Sequence, residues 1–273
     1  MKNIVSREWI LENMEIENLV ILDVRYDMND SRYGELQYEL GHISGAQFVS
    51  FNDVLVGKVK IHGGRHPLPD MENFIENMKN FGVDNESIVV AYDDGNLEMA
   101  GRLWWMLRYV GKKDVYVLDG GIKAWNENNL NLTTEIEQPK VSKSLNLDID
   151  KSMVVDMNYV KSILESEDIA IIDSRAYERF IGDVEPIDKI AGHIPNTLNY
   201  PWMNLLADEE LYSVDDLSEY FKELDGYEDI IVHCGSGITG TVNIMFMEEI
   251  GLKPKLYVGG YSDWISYDDN EII

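Results

Sequence analysis

The chain has a single cysteine, Cys234, and the residues around it favour the chemistry of a nucleophile. The letters IIVH at 230–233 predict a short buried strand, and the apolar spacing over 240–250 predicts a helix. Glycines loosen the loop between these two elements. Backbone N–H groups of such a loop can converge on one atom, and the helix N-terminus favours negative charge there. A thiolate at Cys234, or its sulfur adduct, would be stabilised in that setting.

Two interpretations of Cys234 are open from the loop alone. A lone cysteine of an intracellular protein is commonly a buried packing residue. A cysteine followed by glycine on a strand-to-helix turn is unusual in a core, and favours a reactive thiol. Two enzyme classes are excluded. A dithiol redox enzyme needs a second cysteine, and a phosphatase of the Cys-x5-Arg type needs an arginine where this chain has Gly240.

Composition limits the class of protein and its partners. A chain of 273 residues is long enough for two ordinary domains. Fifty acidic against 23 basic residues give a net charge of −27, which repels nucleic acid and anionic membranes. No apolar run approaches the ~18 residues of a membrane span, and no apolar leader follows Met1. We therefore expect a cytoplasmic protein without nucleic-acid or membrane partners, and a solvated surface at the acidic run 208–210.

Four landmarks recur in the same order and indicate a tandem duplication. The letters NLVILDVR at 18–25 return as DIAIIDSR at 168–175, and GHI at 41–43 returns at 192–194. The strand pattern IVVAYD at 88–93 corresponds to IIVHC at 230–234, so Asp93 stands where the second copy has its cysteine. YVLDGGIKAW at 116–125 matches LYVGGYSDW at 256–264.

The repeat predicts two domains of the same α/β class. Short apolar strands alternate with amphipathic helices in each copy, which implies a mostly parallel sheet flanked by helices. We place the first domain at 1–132, a polar linker at 133–153 and the second domain at 154–273. Ligands of such sheets bind beyond the carboxyl ends of the strands, where Cys234 is expected to lie.

These landmarks, together with the motifs GHISGA at 41–46, GGRHPLP at 63–69 and AGHIP at 191–195, resemble the two-domain rhodanese family of sulfurtransferases. The resemblance implies an inactive first domain, a catalytic second domain and an active site near the cleft between them. It also implies that Cys234 takes a sulfane sulfur as a persulfide and passes it to cyanide or a thiol, without cofactor or metal. The persulfide would lie in the loop formed by Gly235, Ser236, Gly237, Ile238 and Thr239.

The resemblance leaves the small anionic sulfur donor open between thiosulfate and 3-mercaptopyruvate. The loop Cys-Gly-Ser-Gly-Ile-Thr is similar to that of mercaptopyruvate sulfurtransferases, and Arg179 matches the arginine that holds the donor's carboxylate or sulfonate. Those enzymes often have a second arginine some nine residues later, where this chain has EPIDK at 185–189. That form resembles bacterial thiosulfate sulfurtransferases, and Lys189 is the candidate for the missing cation.

Histidines give two further expectations. By the resemblance, His42 is a candidate relay to the loop serine with Asp30 as the nearby acid, although one histidine per repeat also fits a scaffold role. Arg65 and His66 precede the rigid segment PLP at 67–69 and are candidates for the rim of the cleft. An alternative function stays open: a non-catalytic persulfide carrier or binding module that serves a thiol-bearing protein partner.

Overall fold

The computed structural model describes residues 1–136, 138–139, 141–142, 144–206 and 212–273. The acidic run 208–210 and three positions of the predicted linker, 137, 140 and 143, lie outside the described residues. The chain divides into two compact units. The first unit comprises Met1–Gly57 and Leu68–Asp150, and the second comprises Lys58–Pro67 and Lys151–Ile273. Among the described residues, no helix has the length and apolar character needed to cross a bilayer.

The first unit is a five-stranded parallel sheet with helices between the strands. The strands are β1 (Ile4–Val5), β2 (Leu19–Asp23), β3 (Ala46–Phe48), β4 (Ile88–Tyr92) and β5 (Val115–Leu118). The helices are α1 (Arg7–Asn13), α2 (Tyr33–Leu40), α3 (Met71–Asn80), α4 (Glu98–Tyr109) and α5 (Gly121–Glu127), with a wide turn at Phe51–Leu55. The sheet order is β1-β5-β4-β2-β3, and all paired strands are parallel. Trp104 and Trp105 of α4 are fully buried.

The second unit repeats this architecture. Its strands are β6 (Val154–Val155), β7 (Ile169–Asp173), β8 (Thr197–Asn199), β9 (Asp229–His233) and β10 (Lys255–Tyr257). Its helices are α6 (Met157–Ser162), α7 (Tyr177–Phe180), α8 (Val214–Tyr220), α9 (Gly240–Glu249) and α10 (Gly260–Trp264), with 3-10 turns at Lys151–Met153, Trp202–Leu206 and Lys222–Gly226. The order β6-β10-β9-β7-β8 matches that of the first unit, strand for strand. The predicted α/β fold with a tandem duplication is therefore confirmed.

Helix α8 ends earlier than its apolar pattern suggests. The spacing of Leu217, Phe221 and Leu224 predicts a helix over 214–224, but the α-helix ends at Tyr220 and a 3-10 turn follows. All three apolar side chains are nonetheless fully buried. The N–H of Leu224 donates to the carbonyl of Phe221, so the tighter turn keeps the apolar stripe on the core.

Candidate active site

The edge of the second sheet brings Cys234 beside the end of β7. Strands β7 and β9 pair in parallel with Asp173 opposite His233, so the residues that follow both strands leave the sheet at the same edge. Cys234 comes next after β9, and the loop then leads into α9, whose residues from Gly240 to Met247 are buried on all sides. A helix buried all round is fixed by its neighbours, which makes it a rigid support for the loop.

The loop presents an amide to the sulfur. The N–H of Gly237 donates to Cys234 Sγ at 3.2 Å. Gly237 has φ +77°, and a Cβ there would lie 2.3 Å from the carbonyl oxygen of Val258. Only glycine fits this position without moving the backbone. The turn that aims the amide at the sulfur therefore depends on the glycine.

The thiol is enclosed, because Cys234 is only 2% exposed. Charged side chains lie close to the adjoining Gly235. A Cβ on Gly235 would lie 2.9 Å from Arg65 Nη2, 3.5 Å from Arg179 Nη2 and 3.6 Å from Asp188 Oδ2. Charged side chains thus lie directly over the residue that follows the cysteine. The sequence alone does not bring Arg65 and Asp188 together, because 123 positions separate them.

These side chains belong to a group that we call the ion-pair cluster: Arg65, Arg175, Arg179, Glu185 and Asp188. Asp188 accepts from Arg65 Nη1 through Oδ1 and from Arg179 Nη2 through Oδ2, the latter at 3.0 Å. Glu185 accepts from Arg179 Nε and Nη2 and lies 3.3 Å from Arg175 Nη1. Both carboxylate side chains are almost fully buried, so each needs its guanidinium partners.

Arg65 couples the cluster electrostatically to the cysteine. Burial lowers the pKa of Arg65, while the charge of a Cys234 thiolate raises it and the neighbouring Arg179 lowers it. The Arg65 guanidinium therefore lies within electrostatic range of the Cys234 sulfur.

Ser236, two residues after the cysteine, contacts His66, which the sequence indicated only as a candidate for the rim of the cleft. Its Oγ lies 2.8 Å from Nδ1 of His66. Ser236 is 5% exposed, whereas His66 is partly exposed. A hydroxyl and an imidazole at hydrogen-bond distance can pass a proton between them.

The segment Lys58–Pro67 is anchored by α10 and the residues that follow it. The Gly63 N–H donates to Asp263 Oδ1 at 2.6 Å, and the Arg65 N–H donates to Ser262 Oγ at 3.1 Å. A Cβ at Gly64 would lie 2.4 Å from the carbonyl of Gly259. Gly64 therefore serves close packing, whereas Gly63 has φ +104° and open space around a Cβ. The glycine pair before Arg65 is the signal in the sequence that could have indicated this contact.

The predicted relay residues His42 and Asp30 belong to the first unit, and Lys189 belongs to the second. His42 belongs to the first unit, is 1% exposed, and has its ring nitrogens 2.7 Å from the carbonyl of Tyr38 and 3.2 Å from that of Glu135. Asp30, also in the first unit, is exposed and accepts from the N–H of Arg32. Both ring nitrogens of His42 thus lie at backbone carbonyls, and the imidazole of His66 is at hydrogen-bond distance from Ser236. Lys189 is exposed.

The corresponding loop of the first unit, which follows β4, binds a carboxylate. Asp93, which corresponds to Cys234, is 1% exposed, and its Oδ1 accepts from the N–H groups of Gly95 and Leu97 at 2.9 and 3.2 Å. Its Oδ2 accepts from Met99 and Ala100, both at 3.1 Å. Four amides therefore hold one carboxylate at the start of α4. In the first unit, the loop after the fourth strand therefore binds a carboxylate, and the side chain that fills it is its own Asp93.

Glu98, at the start of α4, makes the stability of the first unit depend on pH. Burial, and secondly the nearby Asp93 carboxylate, raise the pKa of Glu98 from 4.5 to about 7. A raised pKa means that the folded state binds the proton more tightly than the unfolded state. The stabilisation is fully present below pH 4.5 and is lost as the pH rises through about 7.

We expect Glu98→Gln to flatten the pH dependence of the urea unfolding midpoint between pH 5 and 8. Glu12→Gln, at an exposed position of α1, is the control, and an unchanged pH profile in Glu98→Gln would contradict this assignment.

Two parallel sheets of the same strand order, one followed by a loop that holds Cys234 beside a backbone amide, define a duplicated α/β protein with a thiol site. The model of the rhodanese-like domain matches the chain twice, at residues 6–128 and 156–267. The chain therefore belongs to the rhodanese family, as its sequence motifs predicted.

Individual relatives extend this result over nearly the whole chain. A probable 3-mercaptopyruvate sulfurtransferase of Pseudomonas aeruginosa is 34% identical over 270 residues, which cover 96% of this chain and 95% of the relative. The putative thiosulfate sulfurtransferase SseB of Mycobacterium tuberculosis is 32% identical and covers 90% and 87%. The crystal structure of SseA from Escherichia coli, a 3-mercaptopyruvate sulfurtransferase, superposes with a TM-score of 0.83 at 30% identity, over 96% of this chain and all of that one. The predicted enzyme class, a sulfurtransferase that acts between a sulfur donor and an acceptor, is confirmed.

Proposed function

We propose that this sulfurtransferase carries sulfur as a persulfide on Cys234, and that it takes the sulfur from a small anionic donor. The observation that carries the proposal is the position of Cys234. Its Sγ accepts an amide hydrogen bond in the loop, and two guanidinium groups lie over the next residue. Amide and guanidinium donors both stabilise negative charge where it develops on sulfur. The enclosure of the thiol favours a small donor.

With thiosulfate, the reaction needs no proton from the protein. The Cys234 thiolate attacks the outer sulfur, the sulfur–sulfur bond of the donor breaks, and sulfite leaves with the electron pair. The outer sulfur stays on the cysteine as a persulfide anion, which the Gly237 amide and the Arg65 guanidinium would stabilise. Cyanide or a thiol then attacks the outer sulfur of the persulfide. This second step breaks the bond to Cys234 Sγ and releases the thiolate.

With 3-mercaptopyruvate, a carbon–sulfur bond must break instead. The electron pair goes to the three-carbon fragment as an enolate, which becomes pyruvate when its carbon takes a proton. Ser236 and His66 form the pair that would deliver this proton, because their polar atoms lie 2.8 Å apart beside the cysteine. Arg179 is proposed to hold the carboxylate of this donor or the sulfonate end of thiosulfate.

Ser236→Ala is expected to separate the two donors. We expect kcat with 3-mercaptopyruvate and a thiol, measured as pyruvate formed, to fall by about one hundredfold, the usual size of a proton-transfer contribution. Thiocyanate formation from thiosulfate and cyanide should change less than about threefold, because sulfite leaves without a proton. Ser262→Ala, which loses a hydroxyl bonded to the backbone N–H of Arg65, is the control for general disturbance of the segment. Equal losses with both donors would contradict the proton role.

The remaining parts of the chain have proposed roles as well. We propose that the first domain, 1–132, is catalytically inactive because the Asp93 carboxylate fills its loop after β4. Lys189, His42 and Asp30 are not assigned a step in this reaction.

We further propose a cytoplasmic enzyme without nucleic-acid or membrane partners, which its net charge of −27 supports. A carrier that serves a thiol-bearing protein is the alternative. It would form the persulfide but give neither pyruvate nor thiocyanate at catalytic rates.

A further inference from the structure

Asp188 occupies the guanidinium groups that we propose for binding an anionic donor. Its carboxylate lies between the guanidinium groups of Arg65 and Arg179, with one oxygen on each. The Asp188 side chain is 2% exposed, and its Oδ2 would lie 3.6 Å from a Cβ on Gly235, the residue after the cysteine. A carboxylate bound by two arginines is the arrangement expected for a bound donor, but here the chain itself supplies it.

The balance of charge around the cysteine follows from this contact. The guanidinium groups of Arg65, Arg175 and Arg179 face the carboxylates of Asp173, Glu185 and Asp188. The ion-pair cluster together with Asp173 therefore has three positive and three negative side chains. A donor anion that enters gains the hydrogen bonds of the arginines, but it also meets the charge of Asp188. The cost rises with the negative charge of the donor.

Arg65 retains one unused donor. Its Nε is buried and has no hydrogen-bond partner in the described part of the chain. A buried N–H without a partner is costly, and an oxygen of a bound anion would satisfy it. The cluster therefore combines an unfilled donor with a carboxylate that competes for the same guanidinium group.

We propose that Asp188 is a specificity-determining residue that discriminates between sulfur donors by their negative charge, weakening the binding of dianions more than that of monoanions. The proposal rests on the proposed function, and it concerns which donors the same site accepts. It assigns to Asp188 a role opposite to that of the arginines. They attract any anion, and Asp188 limits how much negative charge the site accepts.

Two donors with the same reacting sulfur test this directly. Thiosulfate is a dianion, whereas methanethiosulfonate carries its outer sulfur on a sulfonyl group with a single negative charge. In Asp188→Asn, we expect the ratio of kcat/KM for thiosulfate to that for methanethiosulfonate, with cyanide as acceptor, to rise about tenfold. A tenfold change corresponds to about 1.4 kcal/mol, the order of one extra unit charge near a partly screened carboxylate. The difference in this ratio between Asp188→Asn and the wild-type protein should shrink as salt is added, because salt screens the repulsion that only the wild-type protein has.

Matched variants separate charge from packing. Asp183→Asn makes the same change of net charge at an exposed position five residues earlier and should leave the ratio unchanged. Asp188→Glu keeps the charge and should keep the wild-type ratio, even where both absolute rates fall. Asp188→Ser provides a second neutral variant, should the asparagine fold poorly.

The opposite result is equally clear. If both neutral variants lose activity with the two donors in equal proportion, Asp188 only holds the arginines in place and the proposal is overturned. Failure of the proposed function would look different, because the wild-type protein would then form no persulfide from thiosulfate, methanethiosulfonate or 3-mercaptopyruvate.

Discussion

Cys234→Ser is expected to lower sulfur transfer from thiosulfate to cyanide by at least about a thousandfold, the size of loss typical for removal of a covalent nucleophile. A serine hydroxyl is not ionised near neutral pH, and it cannot carry the sulfur between the two half-reactions. The loss should appear in kcat, because the arginines that hold the donor are unchanged. Steady-state assays with both 3-mercaptopyruvate and thiosulfate would measure it.

The control for this substitution concerns folding, since Cys234 is 2% exposed and a hydroxyl in its place can lose stability. Cys234→Ala avoids the buried hydroxyl and should be equally inactive. Both variants should keep the circular dichroism spectrum of the wild-type protein. Retention of more than a tenth of the wild-type rate by a folded variant would show that sulfur does not pass through this residue.

Arg179→Ala is expected to raise the KM for either anionic donor at least tenfold, with a smaller loss in kcat. The guanidinium lies over Gly235 and is the group we propose to hold the donor's carboxylate or sulfonate. Its removal also leaves Glu185 and Asp188 with fewer partners, so their negative charge would repel the donor more strongly. A rise in KM with a nearly constant kcat is the signature of lost binding rather than lost chemistry.

Two comparison variants make the result for Arg179 interpretable. Arg179→Lys keeps the charge but loses the planar fork, so its KM should lie between those of the wild-type protein and Arg179→Ala. Arg32→Ala removes an exposed arginine of the first unit and should leave KM unchanged. Because a buried ion pair is broken, thermal unfolding should show a lower Tm for Arg179→Ala. An unchanged KM in a folded Arg179→Ala protein would remove Arg179 from the donor site.

Much of the fold could be predicted because its signals are local. The strand before Cys234 and the helix after it follow from apolar spacing, and the duplication follows from motifs such as Asp-x-Arg at 23–25 and 173–175. Both arginines of those motifs pair with the aspartate two residues earlier, at 2.6 Å in each unit. Contacts two residues apart are visible in a sequence, since the backbone alone brings the side chains together.

The ion-pair cluster could not be predicted, because its members meet only through the tertiary fold. Arg65 reaches Asp188 across 123 residues, and His66 reaches Ser236 across 170. The type of residue at 188 gives no signal either, because the binding of an anion is expected from cations such as Lys189 and not from a carboxylate. The surroundings of Cys234 arise from the same tertiary contacts. The charged groups beside the adjoining Gly235 lie on the segment Lys58–Pro67, on α7 and on the loop after α7.

The most direct test of the mechanism is the intact mass of the protein after incubation with thiosulfate and removal of the excess donor. Because Cys234 is the only cysteine, a gain of one sulfur atom identifies the persulfide without further separation. We predict an added mass of ~32 Da that cyanide or dithiothreitol removes, and no gain in the Cys234→Ser variant. A wild-type protein that turns over thiosulfate without ever gaining this mass, or a Cys234→Ser variant that gains it, would contradict sulfur transfer through Cys234.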